Sequence, residues 1–403
     1  MTEKTIAELG EPLYYIAENA TEAGFPTPPN PLGQSIRTWV RTLSGMQKEA
    51  LVVSAATGTA WRFVCDEGAH LGGLDQAPNP LTYLSAGMIA SYMNEITALA
   101  EQRGITLNGL ELLLDNYYFR EGDFRKGTMN SGVLPPELEI RCEADCDDQT
   151  LNTLLFEAVS ASPLNGLASG VHPSLFTLTH NGKQLTPEQV TPLTSNPFTD
   201  PGDSFPNLTR ANVPHVASPL IEKLVGDELA RANFDKNPPN PPELDDDKLL
   251  LHMHSKCVLR PDGIKEIFKV QNGNGVPNWH FLSDEAEGFG GKGRAPDAAT
   301  LISAGIGLCF MTQMGRFSGM AKLPLTGYRI IQDTHFSLGG ASGKTGKAGI
   351  SQPVETHVYM DSTVEDSDAQ KILEVAERTC FLHAFCRDDV KPKARFSRTS
   401  QAA

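Results

Sequence analysis

Trp61-Arg62-Phe63-Val64-Cys65-Asp66-Glu67, followed by Gly72-Gly73 and Ala77-Pro78, returns later in the chain as Trp279-His280-Phe281-Leu282-Ser283-Asp284-Glu285, followed by Gly290-Gly291 and Ala295-Pro296. The displacement is constant: 279 less 61, 291 less 73 and 296 less 78 all give 218. Eight of the 18 positions from 61 to 78 are identical, where ordinary residue usage would give roughly one. The same displacement relates Ser85-Ala86-Gly87 to Ser303-Ala304-Gly305, Met93 to Met311, Asp115 to Asp333, and Pro135-x-Glu137 to Pro353-x-Glu355. Upstream, Pro28-Pro29-Asn30-Pro31 recurs as Pro238-Pro239-Asn240-Pro241 at an offset of 210. The chain therefore reads as two tandem copies, residues 1–195 and residues 196–403, the second beginning with a linker. One copy serves as a control for the other: shared residues build the fold, and residues unique to one copy are candidates for chemistry.

Each copy carries the same order of elements. Strands are expected around 37–66 and 249–284, with turns at Ser44-Gly45 and Pro261-Asp262-Gly263. A long helix follows, capped by Asn79 or Asp297; in the first copy Pro80 opens it and Gly104 stops it after Arg103. Strands at 107–119 and 325–336, then at 137–143 and 354–360, precede a second helix. In the second copy that helix is expected to open with a capping box, Ser367-x-x-Gln370. Runs of strands and long helices without βαβ alternation give an α+β class. The Pro-, Asn- and Asp-rich segment from Leu185 to Asp247 reads as a linker with one short helix near Pro219–Arg231.

The 403 residues, 40% apolar and 21% charged, are ordinary for a globular protein of two domains. A formal charge of −15 argues against nucleic acid as a partner. The tail residues Lys391, Lys393, Arg395 and Arg398 read as a solvated end. No apolar run in Met1–Leu13 forms a signal core, and nothing in the chain reads as a membrane span. Seven cysteines, an odd count, do not make a disulfide framework. The expected setting is the cytoplasm, with reduced thiols.

Two differences between the copies stand out. Ser91 and Ser162 in the first become Cys309 and Cys380 in the second, both at the offset of 218. Serine keeps the packing volume and removes the redox capacity. From residue type and spacing alone, small core residues are the better reading, because free cysteine is among the most buried types and Cys380 shares a helical stripe with Ile372 and Ala376.

A further pattern changes that reading. Ala295-Pro296, a cap, then Leu301-x-x-Ala304-Gly305-x-x-x-Cys309-Phe310, with Cys380 at the end of a later helix, resembles the OsmC family, which includes osmotically inducible protein C and the organic hydroperoxide resistance proteins. The resemblance covers both copies nearly end to end. It implies antiparallel sheets packed around two long central helices, normally an intertwined homodimer and here an intramolecular pseudo-dimer within a monomeric chain. It implies a thiol-dependent peroxidase with one site per chain. Cys309 would attack the peroxide and become a sulfenic acid, Cys380 would resolve it as a disulfide, and an external dithiol, lipoyl-linked in the hydroperoxide-resistance branch, would restore both. No cofactor, metal or membrane is implied. The family also supplies an Arg from the first hairpin, for which Arg260 is the candidate and Arg41 the rival. Its Glu, ten residues before the Cys in an Asn-Pro-Glu context, is Ala299 here and Leu81 in the first copy. The thiol needs either such a cation or a helix broken at Gly305 and Gly307, since the dipole of a continuous helix fades within its first turn. The alternative is a non-catalytic OsmC-like module that binds an apolar ligand or a protein, with the cysteines as core packing.

Other signals are set aside. Gly339-Gly340-Ala341-Ser342-Gly343-Lys344-Thr345 is one residue short of a phosphate loop and precedes a strand rather than a helix. His252-x-His254-x-x-Cys257 places histidines on one strand face, but a fourth ligand is not evident and no metal site is expected. Asp66-Glu67 and Asp284-Glu285 survive in both copies and read as a solvated turn or a structural hydrogen bond.

Overall fold

The computed structural model describes residues 4–123, 126–213, 216–225, 249–271 and 277–398. The strands, in chain order, are β1 (Tyr14–Ile16), β2 (Gly33–Thr42), β3 (Lys48–Ser54), β4 (Ala60–Cys65), β5 (Leu107–Glu121), β6 (Asn130–Val133), β7 (Glu137–Ala144), β8 (Leu175–His180), β9 (Lys183–Leu185), β10 (Thr191–Pro192), β11 (Ile221–Leu224), β12 (Leu249–Leu259), β13 (Lys265–Gln271), β14 (Asn278–Ser283), β15 (Leu325–Ser337), β16 (Glu355–Ser362) and β17 (Lys393–Ser397). The helices are α1 (Ile6–Leu9), α2 (Pro80–Arg103), α3 (Asp148–Ala161), α4 (Pro163–Ala168), α5 (Ala298–Ala321), α6 (Asp366–Thr379) and α7 (Phe381–Arg387).

Two mixed sheets flank the helices, and each sheet draws strands from both halves of the chain. The first runs β1-β4-β3-β2-β15-β16-β8-β10, with β9 beside β8. The second runs β11-β14-β13-β12-β5-β7-β17, with β6 beside β5. The joins are long antiparallel ladders. Residues of β2 from Gly33 to Arg41 pair with β15, and residues of β12 from Leu249 to Val258 pair with β5. Both hairpin units thus complete a sheet begun by the other half. One apolar core spans the interior.

The long helices α2 and α5 lie against each other between the sheets. Their starts follow local chemistry: Asn79 Oδ1 accepts the Thr82 N–H at 3.1 Å, and Asp297 Oδ1 accepts that of Thr300 at 2.7 Å. α2 ends at Gly104, whose φ of 64° is the left-handed stop expected of glycine. The helix around Cys309 is not broken at Gly305 and Gly307; α5 is continuous. Gly305 instead permits the crossing. A Cβ there would lie 2.8 Å from Leu84 N, and one at Gly87 would lie 2.7 Å from Ala298 O. α5 is also long and apolar enough to cross a membrane by length and composition, contrary to the sequence reading, yet 94% of its apolar window is buried inside the fold.

Three local expectations are corrected. α6 starts two residues earlier than the Ser367 box allows, with Glu365 at the cap and no side-chain capping bond, while Gln370 donates to the Thr186 carbonyl. The helix expected near Pro219–Arg231 is, over Ile221–Leu224, strand β11 paired with β14, and positions 226–231 lie outside the described residues. Cross-strand pairing overrides the local signal there. The basic tail is not a solvated end: β17 extends the second sheet, and Arg395 and Arg398 pair with Glu139 and Asp148, each at 2.7 Å.

Candidate active site

Cys309 sits about three turns into α5, beyond the reach of the helix's positive end. Cys380 occupies the joint between α6 and α7, ending one helix and capping the next with φ −79° and ψ 118°. That extended joint turns the second thiol back onto α5. The two cysteine side chains hydrogen-bond each other, and the backbone N–H of Leu382, on the first turn of α7, donates to the Cys309 sulfur. Both thiols are buried, and all seven cysteines are free. Burial pushes the Cys309 thiol well above its usual range, the Cys380 contact acts in the same direction, and the Leu382 N–H opposes them.

The same construction recurs at the serine positions. Ser91 on α2 and Ser162, at the α3–α4 joint, hydrogen-bond at 2.7 Å across a sequence separation of 71. Cys309 and Cys380 are also 71 apart (380 less 309).

The surroundings of the two pairs differ sharply. On the thiol side a cavity of about 210 Å³ is lined by Cys309, Glu67, Leu81, Arg120, Arg316 and Phe381, among others. The corresponding cavity on the serine side is about 30 Å³, with Ala299 and Leu338 in its wall. There the glycine-rich run after β15 folds inward. Ala341 N and Ser342 N donate to Glu95 Oε2 at 2.8 and 3.3 Å, and Ser342 Oγ donates to Oε1. The run set aside as a phosphate loop does cradle an acidic group, but that group is the chain's own Glu95. A Cβ at Gly339 would come within 1.9 Å of the Glu95 carboxylate, so the approach depends on that glycine. The residue equivalent to Glu95 on the thiol side is uncharged Gln313.

Neither candidate hairpin arginine lines the thiol cavity. Arg260 lies just past β12 with its guanidinium 40% exposed and paired to Asp262 at 3.2 Å. That turn is itself pinned at the surface, since Arg294 donates to the Asp262 carbonyl. Arg41 pairs with Glu49 and Asp203 along a different groove. The cations in the thiol cavity are Arg120, near the end of β5, and Arg316, farther along α5. Arg120 is only 9% exposed, its Nε and Nη2 have no hydrogen-bond partner, and its Cζ lies 4.9 Å from the Phe381 ring centroid. Burial pulls this guanidinium down to about 10, Arg316 adds to that, and charge on Cys309 and Cys380 pushes it back.

The carboxyl group beside the thiols is Glu67. Its Oε1 accepts from Thr312 Oγ1 at 2.9 Å, and burial pushes its carboxyl up against the opposing pull of Lys48. Its neighbour Asp66 is structural as expected, accepting the backbone N–H groups of Glu67, Leu74 and Gln76. Sequence reasoning missed Arg120, Arg316 and Glu67 as site residues. The offset could have found the arginines, because Arg120 stands against Leu338 and Arg316 against Ala98. Of the two positions where the resemblance expects a glutamate, Leu81 lines the thiol cavity and Ala299 the serine one.

Residues 291–394, which include both cysteines, match the family model described as OsmC-like protein. Among solved structures, the chain is similar to an OsmC-like hydroperoxide resistance protein from Jannaschia sp. CCS1, determined at 1.70 Å. The two are 18% identical, the match covers 38% of this chain and 97% of that one, and the TM-score is 0.24. No curated protein matches the chain.

Proposed function

We propose that the chain is a tandem OsmC-like pseudo-dimer, residues 1–195 and 196–403, acting as a thiol-dependent peroxidase at one site per chain. The observation that carries this reading is a hydrogen-bonded pair of thiols beside a buried guanidinium with two unpartnered nitrogens. The exchange of hairpins between sheets supports the pseudo-dimer, as does the serine pair that mirrors the cysteines.

In this reading Arg120, with Arg316 behind it, favours the Cys309 thiolate over the thiol. The thiolate attacks the outer oxygen of a hydroperoxide; the O–O bond breaks, an S–O bond forms, and the alcohol leaves after taking a proton. Glu67, whose carboxyl burial pushes up, is placed to supply that proton. The Cys380 sulfur then attacks the sulfenic acid, releasing water and forming the disulfide. An external dithiol, oxidised in turn to its own disulfide, returns both thiols. At about 210 Å³ the cavity equals roughly seven water volumes. Its walls include Leu81, Leu251 and Phe381, which suits a compact organic hydroperoxide. The chain acts as a monomer in the reducing cytoplasm, with a lipoyl-type dithiol as reductant.

The test is direct. Adding one equivalent of an organic hydroperoxide to the reduced protein should consume two thiols and give a Cys309–Cys380 link in peptide mass mapping. Finding both thiols free after complete treatment refutes the peroxidase reading.

A further inference from the structure

The outer face of the second sheet holds a group of side chains that the thiol chemistry does not use. His252 and His254 alternate on β12 and therefore share a face, while Cys257 falls on the opposite one. Directly across from His254 in the ladder stands Asp115 of β5. Asp115 Oδ1 lies 2.6 Å from His252 Nε2 and 2.6 Å from His254 Nδ1. All three residues are at least 96% buried, and their ligand atoms lie within 4.8 Å of one another. The Tyr117 ring stacks on His252 with centroids 4.6 Å apart, which fixes that imidazole.

The first sheet shows what this place in the architecture holds. Arg37 stands opposite Asp333 in the β2–β15 ladder, as His254 stands opposite Asp115. Its guanidinium grips both Asp333 oxygens at 2.6 Å. One sheet thus supplies its buried carboxylate with a permanent cation. The other surrounds the equivalent carboxylate with two imidazoles, which neutralise it only when protonated but bind a divalent ion when neutral. A second group, Asp333, His335 and Glu355, has comparable ligand spacing. There the Arg37 guanidinium already occupies the carboxylate and repels a second cation.

We propose that Asp115, His252 and His254 form a binding site for one divalent transition-metal ion, with zinc the best match. Two imidazole nitrogens and one carboxylate oxygen are a donor set zinc favours. Tetrahedral coordination at about 2.0–2.1 Å needs ligand atoms about 3.3 Å apart, so the present 2.6 Å contacts must open by less than about 1 Å. Each imidazole would release the proton now facing Oδ1 as the ion enters. Glu137 lies directly across from Asp115 on β7 and is the nearest candidate, besides water, for a fourth position.

The experiment uses the full chain, reduced and stripped with a chelator, then titrated with Zn²⁺ against a chromogenic competitor and with Co²⁺ by absorption. The proposal expects about one ion bound per chain. Co²⁺ should give the visible bands of nitrogen and oxygen ligation without thiolate charge-transfer intensity. His254→Ala and His252→Ala should weaken binding at least tenfold, whereas Cys309→Ser/Cys380→Ser should leave it unchanged. Binding unaffected by the histidine substitutions, thiolate charge transfer in wild-type protein, or no binding at micromolar Zn²⁺ would each overturn it. If the alanine variants do not fold, Asp115→Asn replaces them, and the wild-type Co²⁺ spectrum alone still decides between histidine and thiol ligation.

Discussion

The claim that the serine pair copies the thiol geometry can be tested by converting one into the other. Ser91→Cys/Ser162→Cys, in a Cys309→Ser/Cys380→Ser background, moves the thiols to the opposite side of the molecule. The Oγ atoms are 2.7 Å apart. Each C–S bond is about 0.4 Å longer than the C–O bond it replaces, so the new sulfurs would be in contact and need only a small side-chain rotation to reach the separation of about 2 Å of a disulfide bond. Closing a loop of 71 residues removes chain entropy worth about 4 kcal/mol from the unfolded state. For a chain of 403 residues, with an unfolding entropy of about 0.85 kcal/mol/K, that raises the melting temperature by about 5 °C. Diamide oxidation followed by non-reducing peptide mapping and calorimetry reads both quantities. The introduced thiols should couple under diamide but react with hydroperoxide at least about tenfold more slowly than the native pair, because Leu338 stands where Arg120 stands on the thiol side. A folded variant whose introduced thiols stay apart under diamide would refute the shared geometry. Equal hydroperoxide rates would refute the role given to the arginine.

Arg120→Leu should slow thiol oxidation by hydroperoxide about ten- to a hundredfold at neutral pH, with recovery at higher pH, as expected when a thiolate loses a nearby cation and its pKa rises; stopped-flow thiol loss against pH checks it. Gly305→Ala should destabilise the fold by about 1–2 kcal/mol, because overpacking against backbone outweighs a helix-propensity gain of about 1 kcal/mol. Gly319→Ala, where an added Cβ meets nothing within 4 Å, should be neutral or stabilising in the same urea titrations. Burial, with Arg387 adding to it, depresses the buried His383 from its usual 6.5 to about 3. The unfolded chain therefore binds the extra proton between those values, and stability is lost as pH falls below 6.5. His383→Leu should flatten the stability–pH slope by about 1.4 kcal/mol per pH unit between pH 6 and 4 and leave it unchanged above pH 7. Equal slopes in wild type and variant would show that the ring is not kept neutral.

What the sequence disclosed follows the range of the forces involved. Both ends of α2 and the start of α5 depend on contacts of three or four residues, and Asn79, Gly104 and Asp297 announced them. The Ser/Cys pairs were visible because the repeat supplied its own control, and the structure brings Cys309 and Cys380 into contact. The cation beside them was not visible as a motif. Arg120 belongs to β5, and only the register of the second sheet and the course of α5 bring it to Cys309. Family position pointed instead to Arg260, whose own turn supplies a nearer partner in Asp262. The histidines of β12 were seen, but their carboxylate comes from a strand well over a hundred residues earlier, so local spacing suggested Cys257 in its place. Strand β11 was mistaken for helix because its pairing with β14 is decided by tertiary contact rather than by local preference.

The sharing of strands between sheets has a consequence for how the chain is made. Strand β2 ends at Thr42, but its neighbour β15 does not begin until Leu325, 283 residues later (325 less 42). At synthesis rates of about 5–20 residues per second, the first hairpins wait roughly 15 to 60 seconds for their sheet to be finished. Throughout that interval β2 presents an unpaired ten-residue edge beside buried aromatic residues such as Trp39. The newborn chain is thus most vulnerable to joining a neighbour on the same polysome, and a ribosome that stalls midway would release a sheet with an open side.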